Sequence, residues 1–257
     1  MKRETKSGDV HDAILVGSGT ALTDDPALTC RLPGLEGRSP VRVVMDGRLR
    51  LPPSHQLVTG ARVVQTWIVT VAGVDSARLE SYRAAGAEVI QFDEPAFNAY
   101  THLVPGWGVE ALNRAVQGLS AKKTAVHICY GYGIQQNNDW KKTLGKVWAQ
   151  YREILPALVE SKIDQISLEF AGSRVPLDVL ELVGDRKDVL VGAIDVASDA
   201  VETPEQVAAV IDGALKHMPA DRIYPCTNCG MAPMNRTLAY KKLAALAAGA
   251  KQVRDRL

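Results

Sequence analysis

Residues 164–195 read DQISLEFAGSRVPLDVLELVGDRKDVLVGAID. Two short apolar runs, QISLEF and VLVGAID, flank a segment at 176–184 that reads as helix. Runs that are apolar throughout, rather than alternating, mark strands covered on both faces, as in parallel sheets. Parallel neighbours need a crossover between them, usually a helix. Strand, helix and strand in this order therefore make a parallel unit, and the class is α/β.

The same alternation extends in both directions. Strands are expected at 13–17, 41–45, 66–71, 87–92, 124–130, 164–170, 189–195 and 222–226. Helices are expected at 75–85, 108–119, 141–160, 176–184, 204–217 and 234–249. Glu202-Thr203-Pro204-Glu205 opens one of them, with threonine as the cap and proline at the first helical position. Residues 1–60 differ in character, being rich in turn formers (DDP, LPG, EGRSP, RLPP) and without a strong helix. GSGT at 17–20 is too short to count as a nucleotide fingerprint.

With 257 residues the chain is one large domain or two small ones. Its 30 basic and 29 acidic side chains nearly cancel, which gives no support for a nucleic-acid or membrane-surface role. No apolar run approaches the roughly 20 residues needed to span a bilayer. The start, MKRETKSGDVHD, lacks the apolar centre of a signal peptide, so a cytoplasmic address is expected. In that setting Cys30, Cys129, Cys226 and Cys229 read as thiols or metal ligands rather than a disulfide framework. Cys30 stands alone and reads as incidental.

Chemistry concentrates at His127, Cys129, Glu169 and one cysteine of the Cys226/Cys229 pair. His127 and Cys129 are two apart in an expected strand, so both side chains point to one face. Glu169 ends the next expected strand, and the cysteine pair comes after the last. Imidazole, thiolate and carboxylate are the donors zinc takes, usually in tetrahedral geometry. Groups at the C-terminal ends of successive parallel strands converge on one mouth in a barrel. Taken singly, each piece has a bland reading: a packed histidine and cysteine, a redox Cys-x-x-Cys, a carboxylate paired with Arg174. Their joint order on successive strand ends favours the metal.

The stretches QFDEPAF (91–97), HICYGYG (127–133), DQISLEFAGSR (164–174), GAIDVASDAVETPEQV (192–207) and YPCTNCGMAPM (224–234) resemble the C-terminal catalytic barrel of cobalamin-independent methionine synthases. The resemblance covers roughly residues 84–257 and is nearest to short core-type relatives that lack the duplicated N-terminal barrel. It implies a partial or complete (β/α)8-type barrel and zinc-dependent methyl transfer to the thiol of homocysteine from an unidentified methyl donor. It assigns the zinc to His127, Cys129, Glu169 and Cys229, leaves Cys226 as a supporting or structural residue, and gives Asp93 the amino group of homocysteine.

Two departures stand beside the resemblance. A histidine that folate-dependent members carry in Asp-Ile-His-Ser is Ala197 here, within Asp195-Val196-Ala197-Ser198, so the donor need not be the folate. Also missing is the Ile-Gly-Ser loop that grips the homocysteine carboxylate. Residues from about 10 to 90 instead resemble the reductase domain of bacterial riboflavin biosynthesis, of dihydrofolate-reductase-like fold, through DAILVGSGTALTDDPALTCRLPGLEGRSPVRVVMDGRLRLPP (12–53) and TWIVTV (66–71). That resemblance would put NADPH on Thr20 and Asp24 and a ribose-phosphate substrate on Leu28 and Arg31. Its expected serine after Asp46 is Gly47, and its glycine-rich phosphate loop is missing, which removes much of the anion affinity. The expected organisation is a reductase-like fragment at 1–85 joined to a zinc-binding barrel portion at 86–257, with the seam near Gly86. Three expected strands precede the seam and five come after it, and eight is the number that closes a barrel. The alternative is an open sheet whose edge is covered by a partner protein or a second copy.

Overall fold

The computed structural model of the chain describes residues 13–30, 39–71, 77, 78, 81, 89–118, 123–132, 135–231 and 234–257. Most of the helix expected at 75–85, the seam at 86–88 and Arg31 lie outside them. The chain forms two compact units, one of Met1–Asp93 with Gln117–Thr124, the other of Glu94–Val116 with Ala125–Leu257.

In the first unit, strands β1 (Ala13–Gly17), β2 (Val41–Met45), β3 (Thr66–Val71) and β4 (Val89–Asp93) pair in chain order, every pair parallel. Helix α1 (Ser18–Asp24) comes after β1, and a single turn, α2 (Gln56–Thr59), precedes β3. The buried Arg42 guanidinium organises the loops around β2, donating to Val64 O at 2.7 Å and Ala27 O at 3.1 Å. A buried charge is tolerated where carbonyl oxygens take its protons.

The second unit carries β5 (Lys123–Ile128, from Ala125 onward), β6 (Gln165–Glu169), β7 (Asp188–Ile194) and β8 (Ile223–Thr227). These too pair in chain order and in parallel. All five residues of β6 are buried, as are the last six of β7, so both faces are covered, as the unbroken apolar runs require. Consecutive parallel strands with helical crossovers are the connectivity of a (β/α) barrel segment. The α/β class with parallel strands holds in both units.

Local differences from the sequence expectation have physical causes. A single helical turn, α3 (Ala96–Ala99), opens the second unit just past Pro95. The helix expected from 108 begins as a wider turn over Val104–Gly108 and tightens into α4 (Val109–Ala115). One helix expected at 141–160 is two, α5 (Gln135–Thr143) and α6 (Gln150–Leu158). Between them Gly145 takes a left-handed φ of 71°, and Trp148 N–H donates to Arg174 O rather than along a helix. The expected 176–184 helix is a short, tight 3-10 segment, Leu177–Leu182. Helix α7 (Pro204–Ala214) starts where expected, with Thr203 and Gln206 forming a reciprocal capping box.

Helix α8 (Arg236–Arg254) packs on α7, and Ala193, Ile194, Val207, Ala208, Ile211 and Val253 form the core beneath. Gly249 permits the approach: a Cβ there would stand 2.6 Å from Pro204 O and 2.6 Å from Val207 Cβ. Gly249→Ala gains helix propensity of about 1 kcal/mol but overpacks a backbone contact costing about 1–3 kcal/mol. Urea unfolding should therefore show a net loss of stability; a gain would mean the helices are not in contact at this point.

Candidate metal centre

A two-residue period places His127 and Cys129 on one face of β5 and its extension. In the registered pairs, His127 stands beside Ser167 of β6, Glu169 beside Gly192 of β7, and Gly192 beside Cys226 of β8. Paired residues in a parallel sheet share a face, so histidine, thiols, hydroxyl and carboxylate gather on one side. Gly192 contributes no side chain there. A Cβ on it would meet Asn228 Oδ1 at 2.2 Å and Leu168 O at 2.8 Å.

That space belongs to Asn228, which is fully buried and draws the loop after β8 back onto the sheet. Its Oδ1 accepts from Phe170 N at 3.1 Å, its Nδ2 donates to Ala171 O, and its own N–H donates to Ile194 O. Thr227 Oγ1 donates to Cys229 O at 2.9 Å. Cys229 is thereby returned to Cys129, with the two sulfurs 3.5 Å apart. On the other side Asn98 Nδ2 donates to Cys129 O at 3.0 Å, and Glu94 N–H donates to His127 O at 2.8 Å. Tyr151 ties the ends of β5 and β6, donating to Ile128 O at 2.6 Å and accepting from Glu169 N.

The donor atoms of His127, Cys129 and Cys229 all lie within 4.8 Å of one another. Tetrahedral zinc with bonds of about 2.0–2.3 Å spaces its donors by roughly 3.3–3.8 Å. The 3.5 Å sulfur separation falls in that interval, so the three side chains fit such an ion. Glu169 is not in that tight group; its buried carboxylate accepts from Tyr130 N–H at 3.1 Å and from the Tyr132 hydroxyl. Cys226 is also outside it, with its sulfur 4.0 Å from Ser167 Oγ.

The electrostatics suit a cation. The hydrogen bond with Cys129, then the contact with His127, pulls the Cys229 thiol well below its ordinary value, against the desolvation that opposes it. Cys129 moves upward through its hydrogen bond with Cys229 and its burial. Burial raises Glu169, partly offset by the Tyr132 and Tyr130 donors, and burial raises Cys226 to about 12.

A cavity of about 230 Å³ opens beside Glu169, lined among others by Tyr132, Lys141, Trp148, Arg174, Asp195 and Ala197. Its Asp195–Ala197 edge is fixed by the buried Lys242, which donates to Asp195 O and pairs with Glu202 at 2.9 Å.

The remaining expected residues lie in the first unit. Asp93 ends β4 and accepts from Gln91 Nε2 at 3.1 Å. Thr20 and Asp24 are exposed on α1, and Leu28 has a positive φ of 48°. Ser167, Asn228 and Gly192 carry the site without standing out in the sequence. Ser167 has a signal, because it stands two residues before Glu169 and so on the same face.

Residues 62–252 match the family described as cobalamin-independent synthase, catalytic domain. Residues 6–103 match the RibD C-terminal domain, so the two matches overlap at 62–103. A methionine synthase of Saccharolobus islandicus is 36% identical over 174 residues, which is 67% of this chain and 46% of that protein. The methionine synthase of Sulfurisphaera tokodaii is 30% identical over 187 residues, 73% of this chain and 49% of that protein. The chain therefore spans about half the length of the curated relatives it matches. Among solved structures, a B12-independent methionine synthase from Shewanella sp. W3-18-1, in complex with selenomethionine, superposes with a TM-score of 0.70 and 45% identity. The match covers 74% of this chain and 62% of that one.

Asn228→Ala removes the partner of the buried Phe170 N–H and of the part-buried Ala171 carbonyl, at a cost of about 1–3 kcal/mol. It should also loosen the Cys229 loop, so that cobalt titration shows weaker thiolate-to-metal absorption in the folded variant. Unchanged stability and absorption would show that Asn228 does not place the loop.

Proposed function

The chain belongs to the family of cobalamin-independent synthase catalytic domains, and from that premise we propose that it transfers a methyl group to the thiol of homocysteine with zinc as cofactor. The observation that carries the reading is the convergence of His127, Cys129 and Cys229 within 4.8 Å. Glu169, at the rim of the same group, is the fourth protein ligand in this proposal. When bound, zinc would hold the substrate as thiolate, which is scarce at neutral pH for a free thiol of pKa about 8.5.

The chain's own residues supply position and dryness. Tyr130 N–H and Tyr132 keep the Glu169 carboxylate at the cavity edge. The Tyr130, Trp148 and Tyr151 rings pack together behind it and exclude water. Asp93 is proposed to hold the substrate's amino group. The cavity is smaller than the about 300–1,000 Å³ typical of drug-sized ligands, which suits an amino acid or a small donor. Ala197 on its wall offers no proton, and the reading assigns no particular methyl donor. The Shewanella relative's complex with selenomethionine, an analogue of the expected product, supports the substrate class.

Zinc-edge X-ray absorption on the purified chain should report two sulfur ligands, rising to three when homocysteine is added. A shell unchanged by homocysteine would leave a zinc-binding protein without this activity. The match to the RibD C-terminal domain supports a second reading, an NADPH-dependent reductase using Thr20 and Asp24. Calorimetric titration with NADPH should show no binding; saturable binding weakened by Thr20→Ala or Asp24→Ala would favour the reductase instead.

A further inference from the structure

Behind the clustered donors of the candidate metal centre lies a layer of buried polar contacts. His127 Nδ1 lies 2.8 Å from Ser167 Oγ, and both residues are buried. The two are register partners on neighbouring strands, so the contact is built into the sheet rather than into a loop. Ser167 Oγ in turn lies 4.0 Å from Cys226 Sγ. That second contact runs diagonally across β7, where Gly192 brings no side chain between β6 and β8.

We infer that Ser167 and Cys226 form a hydrogen-bonded support that holds His127 in the tautomer able to bind metal through Nε2. This role rests on the proposed zinc function. An imidazole offers a metal only the nitrogen that carries no proton, so the other must be the donor. Metal-bound histidines almost always give that N–H to an acceptor, and the acceptor sets both ring orientation and ligand basicity. Here His127 Nδ1–H donates to Ser167 Oγ. The serine hydroxyl would undo this if its own proton pointed at the ring. Cys226 gives that proton somewhere else to go, since a thiol sulfur is a weak acceptor. The two cysteines of Cys226-Thr227-Asn228-Cys229 therefore do different work: Cys229 meets the metal, and Cys226 orients the hydroxyl that orients the histidine. Ser167 and Cys226 are positioning residues, since neither is among the three clustered donors.

The test uses the full chain, loaded with zinc or cobalt. Nitrogen-15 NMR of the zinc form should show the His127 Nδ1 protonated. Chelator competition should show Ser167→Ala weakening zinc binding about 10–100-fold, with Ser167→Thr recovering most of it. Cys226→Ala should weaken binding less and keep the full thiolate-to-cobalt absorption, whereas Cys229→Ala should lose about half of that absorption, one of two sulfurs. Unfolding of the metal-free proteins separates these effects from a loss of fold. If Ser167→Ala does not fold, the histidine tautomer and the Cys226→Ala titration decide the matter. Zinc affinity of Ser167→Ala within twofold of the parent, an Nε2-protonated His127, or loss of cobalt absorption in Cys226→Ala would each overturn the inference while leaving the zinc function intact. A parent protein that takes up no zinc would overturn both.

Discussion

Cys129 and Cys229 hold their sulfurs 3.5 Å apart in a largely buried setting with an imidazole beside them. At that separation two thiolates repel strongly, the more so where water is scarce. Three arrangements relieve the repulsion: a shared proton, a disulfide, or a cation between the sulfurs. In this geometry one hydrogen bond joins the two sulfurs. A divalent ion would take the place of such a proton, offset the charge of both sulfurs and draw in His127 as a third donor.

Keeping these groups together is costly, and the surrounding polar network shows how the fold offsets the cost. Each strand end that presents a donor is fastened by a side chain from elsewhere in the second unit: Tyr151 on β5 and β6, Asn98 behind Cys129, Asn228 between β6, β7 and Cys229. Buried polar groups of this kind stabilise only when nearly all their bonds are made, and then they specify one arrangement. Gly192 and Gly249 serve the same end by absence, one admitting the Asn228 amide and the other admitting α7 against α8.

Much of this was legible in the sequence, and the remainder was hidden for definite reasons. Unbroken apolar runs give buried parallel strands, and His127-x-Cys129 gives a shared face by simple alternation. Cys229 could not be separated from Cys226 by spacing alone, because the choice depends on a loop folded back by Asn228. Glu169 illustrates the opposite limit: its place at a strand end was readable, but its engagement with Tyr130 N–H and Tyr132 depends on backbone direction after β5. The break between α5 and α6 was hidden because Gly145 sits among good helix formers. The strand 89–93 reads in sequence with the residues C-terminal to it and lies with the first unit in three dimensions. Both family matches extend across it, which explains why local sequence cannot say to which side it belongs.

The convergence of three side chains from β5 and the loop after β8 on one ion is tested most directly by anomalous X-ray diffraction at the zinc edge from crystals of the zinc-loaded chain. The expected result is one strong peak bonded at about 2.0–2.3 Å to His127, Cys129 and Cys229. A map without a peak there, or with the metal held elsewhere and these sulfurs joined or turned apart, would contradict it.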